Sequence, residues 1–129
     1  MALQLSRFGR NGRLQKASEN SPPLKQGENG EAVAIVQQAL IDLGYVMPIT
    51  TNGGRNLADG IYGAETASVV RQFQATYGLD SDGIVGRQTL AMLEQLIQAL
   101  LAAERAELVA DLALPSRLRR NYHRTLRGV

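Results

Sequence analysis

The sequence predicts an all-α chain with three main helices, the third extended, and a short basic helix at the C-terminus. Two observations predict it. Apolar residues recur at helical spacing in three stretches, each closed by glycine or proline. An eight-residue pattern also occurs twice, as Asp59-Gly60-Ile61-Tyr62-Gly63-Ala64-Glu65-Thr66 and as Asp82-Gly83-Ile84-Val85-Gly86-Arg87-Gln88-Thr89. Both octets read D-G-apolar-apolar-G-x-x-T. An Asp carboxylate can accept hydrogen bonds from backbone N–H groups just downstream, and the Gly after it takes a positive φ without steric cost. Two apolar residues are then expected to point inward. Gly63 and Gly86 fall where a helix begins, and the Thr66 and Thr89 hydroxyls, in the first helical turn, can bond back to the entering loop. Each octet is thus a loop that delivers a helix at a fixed angle. On this reading Gly63→Val should push a side chain into the loop–helix junction.

Residues 1–29 read as an extended arm, because Gly, Asn, Ser and the Pro22-Pro23 pair break any period. Its basic part is residues 1–22, and Leu3, Leu5, Phe8 and Leu14 are apolar enough to dock on the body. The first helix should run from about Gly30 to Leu43, with Val33, Val36, Gln37, Leu40 and Leu43 on one face and Gly44 as its stop. Gln37 is the polar member of that stripe, and its expected duty is to bond a nearby loop backbone. Residues 45–58 form a long connection. Val46 to Thr51 has strand-like residues and Asn52-Gly53 is a turn signal, compatible with a small hairpin. Two readings stay open for it, a specificity loop and a tolerated insertion.

The second helix should span about Ala64 to Tyr77, burying Ala67, Val70, Phe73 and Tyr77 before Gly78. The third starts near Gly86 and meets its first breaker at Pro115. Such a helix is about 42 Å long at 1.5 Å per residue, longer than a body of this size is wide. Its distal apolar residues, Leu100, Leu101, Leu108, Val109 and Leu112, are expected to be covered, either by the N-terminal arm and the tail or by another protein. Residues 116–128 read as the short basic helix, with Leu118, Tyr122 and Leu126 on one face and Arg117, Arg120, Arg124 and Arg127 on another.

A chain of 129 residues with 44% apolar content supports one modest core. The net charge of +2 hides an asymmetry. Arg7, Arg10, Arg13 and Lys16 stand at one end and Arg117, Arg119, Arg120, Arg124 and Arg127 at the other. All 12 acids lie between them. Basic ends on an acidic body suit anionic partners or ends that fold back. The first ten residues hold no continuous apolar run, so the chain is expected to be made in the cytoplasm without a signal peptide. No stretch of 18 apolar residues occurs.

Catalysis is not expected. The chain has no Cys and one His, His123 in the basic tail, so neither a nucleophilic triad nor a zinc site is within its means, and no metal or cofactor is expected. Asp59 and Glu65 could be paired as glycosidase carboxylates, but both have local structural duties. Asp80-Ser81-Asp82-Gly83 begins like a calcium loop and fails at its end, where Ala91 replaces the closing acid. Nucleic acid and membrane are disfavoured as partners, since the apolar stripe of the tail is short.

From about Pro23 to Leu93 the chain resembles the small helical peptidoglycan-binding domain attached to bacterial cell-wall hydrolases. The matching residues begin with Leu24, Gly27, Gly30, Val33, Gln37, Leu40, Leu43 and Gly44. They continue through Asp59-Gly60, Gly63, Thr66, Val70, Phe73-Gln74, Gly78-Leu79, Asp82-Gly83, Gly86, Thr89 and Leu93. The resemblance implies a compact three-helix bundle over residues 23–93, flanked by the arm and by residues 94–129. It also implies a non-catalytic module that binds wall glycan or stem peptide. Glycan recognition favours aromatic faces, so Tyr62 and Tyr45, with Arg55 and Arg71, are the expected ligand contacts, on a face made by the first octet and residues 45–58; for Tyr62 core packing stays open as the other reading. The alternative is a structural adaptor of a phage-tail-like or injection particle. It would dock a partner, or a second copy, through Leu100, Leu101, Leu108, Val109, Leu112, Arg117, Arg120, Tyr122 and Arg124. The protein would act at the wall or inside such a particle.

Overall fold

The computed structural model describes residues 6–51 and 58–112; of Ser6 and of 109–112 only the backbone is described. It holds five helices among these residues. They are α1 (Ser6–Gly9), α2 (Gly12–Ala17), α3 (Glu31–Asp42), α4 (Ala64–Thr76) and α5 (Arg87–Leu112). No strand forms among the described residues; the extended segments meet only in single antiparallel bridges, Leu24 with Val85 and Asn29 with Ile61. The chain divides into two units, Met1–Ile97 and Gln98–Val129.

The core of the first unit is built from the predicted stripes. Val33, Val36, Ala39 and Leu40 of α3, Ala67, Val70 and Phe73 of α4, and Leu90, Leu93 and Ile97 of α5 are all buried. Burying each of the larger side chains stabilises the fold by roughly 1.5–3 kcal/mol. Tyr77, expected inside, is 39% exposed, with its ring tilted against Phe73 at a centroid distance of 5.0 Å. It closes the last turn of α4, where only one ring face can reach the core.

Among the described residues, 6–29 do not form an extended arm. Asn11 accepts the Leu14 N–H at 3.0 Å and so caps α2, and Phe8, Leu14, Ala17 and Leu24 are fully buried. Arg13 fixes the following prolines. Its guanidinium is bidentate to Glu28 at 2.6 and 2.8 Å and also donates to the Pro22 and Pro23 carbonyls. The period-breaking residues were outweighed by burial of these apolar side chains. The expected short helix at 116–128 lies outside the described residues.

Residues 45–51 form no hairpin strand. The Thr51 N–H and hydroxyl both bond the Met47 carbonyl, at 3.0 and 2.9 Å, which makes a turn. Met47 and Thr50 are buried by it. In the second unit the described distal side chains of α5 range from half-buried to exposed. Leu101 is 36% and Leu108 56% exposed, and Leu100 is half-buried. Val109, Leu112 and the tail arginines belong to the part whose side chains are not described.

Candidate functional site

The two octets fold alike. In the first, Asp59 accepts the Ile61 N–H at 2.9 Å, Gly60 takes φ +75°, and the Thr66 hydroxyl turns back to the Ile61 carbonyl at 3.4 Å. In the second, Asp82 accepts the Ile84 N–H at 2.9 Å, Gly83 takes φ +73°, and Thr89 turns back to the Ile84 carbonyl at 3.5 Å. A buried glutamine locks each loop. The Gln37 amide donates to Asp59, the Ile61 carbonyl and Thr66 at 3.2, 2.9 and 2.9 Å, and accepts the Gly60 N–H at 2.9 Å. Gln74 repeats the set with Asp82, the Ile84 carbonyl and Thr89 at 3.0, 2.9 and 3.1 Å, accepting the Gly83 N–H at 2.9 Å. Asp59, Gly60 and Thr66 in the first octet, and Asp82, Gly83 and Thr89 in the second, all take part in these loop-to-helix networks. Gln74 was missed as a partner of Gln37; a lone amide facing a D-G loop was the available signal.

One detail of the octets differs from expectation. Only the second apolar residue points inward. Tyr62 and Val85 are buried, whereas Ile61 is 54% exposed. The backbone there is extended, and successive side chains of an extended chain point to opposite sides. Val85 exchanges two backbone hydrogen bonds with Leu24, both 2.8 Å, and Tyr62 pairs with Gly27 and Glu28 at 2.9 and 3.0 Å. This placement also removes Tyr62 as a ligand contact. Its ring is 1% exposed and its hydroxyl donates to the Gly83 carbonyl, tying the two loops together. Burial, with Asp82 adding to it and Arg71 opposing it, pushes the phenol well above its ordinary pKa, so it remains a donor.

The other expected contacts do not converge. Tyr45 is half-buried and sets its edge on Phe73 at 6.1 Å. The Arg71 side chain lies beside Gly83, on the second loop rather than the first, and Arg55 is outside the described residues.

Around the first octet, residues 47–51 pack against the first turn of α4. The Glu65 carboxylate accepts the Ile49 and Thr50 N–H groups at 2.9 and 2.8 Å. Burial raises the Glu65 pKa, but these hydrogen bonds outweigh it and leave the group below its ordinary value. A depressed folded pKa stabilises above the unfolded pKa, and that contribution is lost as pH falls through the folded value. Hydrogen-exchange protection at Ile49 and Thr50 should therefore drop when the solution is acidified through the lower carboxylate range, while protection in α4 persists. Glu65→Gln should abolish that pH dependence. Unchanged protection in acid would show that the carboxylate does not hold the segment.

Around the second octet the space stays open. A cleft of about 400 Å³ is walled by Leu79 and Asp80 on one side, by Ile84 and Gly86 along the loop, and by Arg87 and Gln88 of α5. Asn20 and Pro23 close its far side. Asn20, held at φ 58°, accepts the Arg87 N–H at 2.8 Å and thereby caps α5 from across the chain. This wall comes from the N-terminal segment, and no local sequence pattern places it there.

The family profile described as "Putative peptidoglycan binding domain" matches residues 29–93. Among curated proteins the chain is similar to the N-acetylmuramoyl-L-alanine amidase CwlL of Bacillus licheniformis, at 41% identity over 70 residues, 54% of this chain and 19% of the amidase. It is 40% identical over 76 residues to the zinc D-Ala-D-Ala carboxypeptidase of Streptomyces albus G, 59% of this chain and 28% of that enzyme. It is 30% identical over 92 residues to a type VI secretion system spike protein of Vibrio cholerae, 63% of this chain and 8% of the spike protein. The chain thus spans about a quarter or less of the length of these relatives. Among solved structures it is similar to the SleB N-terminal domain, at 31% identity over 57% of this chain and 90% of that one, with a TM-score of 0.47. With the match covering half of its length, the chain belongs to the peptidoglycan-binding domain family.

Proposed function

We propose that the first unit binds peptidoglycan at the cleft of the second octet and does no chemistry there. The observation that carries this is the open cleft on a family scaffold whose first octet is filled by the chain itself. The cleft offers a cation in Arg87, carboxylates in Asp80 and Asp82, and amides in Asn20 and Gln88, which suits an ionic, hydrogen-bonding wall component. The hydrolase relatives devote a small share of their length to this domain, which supports a role in holding the wall rather than cutting it. The protein would therefore work at the cell wall.

Pelleting the full chain with purified sacculi tests the reading. Wild type should sediment with the wall, and Arg87→Glu should sediment at least about fivefold less, as expected for an exposed contact turned repulsive. Wild type remaining in the supernatant would remove the wall-binding reading. Equal pelleting of the variant would move the site elsewhere.

A protein contact through the distal part of α5 stands as a second proposal, and the exposure of Leu101 and Leu108 supports it. The contact would be self-association or an adaptor role in a particle. Light scattering of the full chain beside Leu101→Glu/Leu108→Glu should show an oligomer that dissociates. A monomer in both cases leaves only a different protein as partner, and no gain of mass in the producing cell's extract would sink the proposal.

A further inference from the structure

The two octets superpose residue for residue in sequence, so Glu65 and Gln88 are equivalent positions, each second in its helix. At the first, a side-chain oxygen pair takes two consecutive main-chain N–H groups, those of Ile49 and Thr50. The chain thereby carries a peptide bound to its own first octet. Thr50 is 4% exposed and Met47 2% exposed, so that segment is seated against the protein. At the second octet the matching Gln88 is exposed, and among the described residues its amide meets no partner. A cleft lies beside it where the first octet has residues 47–51.

We infer that this second cleft takes a short peptide main chain in the way the first octet takes residues 49–50, with Gln88 accepting ligand N–H groups. This rests on the wall-binding reading and names the stem peptide, rather than the glycan, as what the cleft recognises. Three features agree. An amide oxygen accepts N–H groups as a carboxylate does, though more weakly. Among the described residues no aromatic ring lines the cleft, so these offer a sugar no face to stack on. Arg87 can pair with a peptide carboxylate, and Asp80 and Asp82 with the free amine of a diamino acid. A sugar that carries neither amine nor carboxylate would leave these charges unused. Asn20 and Pro23 add a wall from outside the family match at 29–93, so part of the specificity belongs to this chain's own N-terminal segment.

Chemical-shift mapping of the full chain tests it, with a stem tetrapeptide containing a diamino acid and, separately, an N-acetylglucosamine oligomer. The peptide should move the amides of Asn20 and of residues 86–89, and the sugar should not. Gln88→Ala should weaken the peptide about 3- to 10-fold, the value of one or two hydrogen bonds, and Gln88→Glu should restore it to within about twofold. Gln88 is exposed, so both variants should keep the wild-type circular dichroism. Shifts caused by the sugar alone, peptide shifts confined to other surfaces, or an affinity indifferent to Gln88→Ala would each overturn the inference. Sacculus pelleting separates the two levels: a chain that pellets but ignores the peptide loses only this inference, and a chain that does not pellet loses the wall-binding reading as well.

Discussion

Gln74→Ala should destabilise the first unit by about 3–5 kcal/mol, from a buried N–H left without its partner, a carbonyl left with one long bond, and the void of the lost side chain. Gln74 is 1% exposed and sits on α4 facing the second octet. Its amide nitrogen has two hydrogens for three acceptors, Asp82, the Ile84 carbonyl and Thr89, so one of the bonds is shared. Its oxygen takes the Gly83 N–H. Truncation leaves that buried N–H without its partner and the Ile84 carbonyl with only the long bond from the Thr89 hydroxyl, and leaves a void besides. Asp82 keeps the Ile84 N–H, so the turn itself can survive while its attachment to α4 is lost. Gln74→Glu should be no milder, because it sets a second carboxylate against Asp82 and replaces a donor facing the Ile84 carbonyl. In a domain of this size the melting temperature of Gln74→Ala should fall by at least about 12 °C. Since Gln37 makes the same four contacts at 0% exposure, Gln37→Ala should cost as much to within about 1 kcal/mol. A melting temperature within about 3 °C of wild type for either variant would mean the glutamine is not what fastens the loop.

That pairing also shows where reading the sequence succeeded and where it stopped. Asp, Gly and Thr of each octet act within eight residues of one another, and local chemistry was enough to assign them. The glutamines are distant at unequal separations, Gln37 well before Asp59 and Gln74 close to Asp82, so no fixed period links the two halves. Gln37 stood out as the polar residue in an apolar stripe, and Gln74 followed Phe73 without drawing the same inference. Tyr62, being aromatic, was read both as a platform and as a core residue, and nothing local chose between the two. Its octet partner Val85 is buried, and that equivalence would have placed Tyr62 in the core. The N-terminal helices are four and six residues long, too short to show a period, and only the Asn11 cap announces one of them. The cleft depends on Asn20 meeting Arg87, a tertiary contact with no local signature. Val46 to Thr51 read as compatible with a hairpin because of β-branched side chains, yet the Glu65 carboxylate holds the Ile49 and Thr50 N–H groups in a turn.

Gly60→Ala should cost about 2–4 kcal/mol, combining a left-handed backbone forced on a residue with a Cβ and a contact that cannot relax. Gly60 sits at φ +75°, and a Cβ there would lie 2.8 Å from the Gly30 carbonyl oxygen. That oxygen cannot retreat, because it accepts the Ala34 N–H at 3.1 Å in the first turn of α3. Gly60 cannot retreat either. Its own carbonyl takes the Gly30 N–H at 2.9 Å, and its N–H is held by Gln37. The second glycine of the same octet behaves differently, contrary to the expectation drawn from its position. Gly63 has φ −101°, an extended conformation open to any residue, and a Cβ there meets no atom within 4 Å. Gly63→Ala should therefore change stability by less than about 1 kcal/mol, because the loss of chain freedom in the unfolded state is the main effect. The Cβ that Gly63→Val would add is therefore not itself a wedge in the loop–helix junction. Urea midpoints of the two alanine variants decide the matter: a Gly63→Ala loss equal to or larger than that of Gly60→Ala would overturn this account of how the octet is locked.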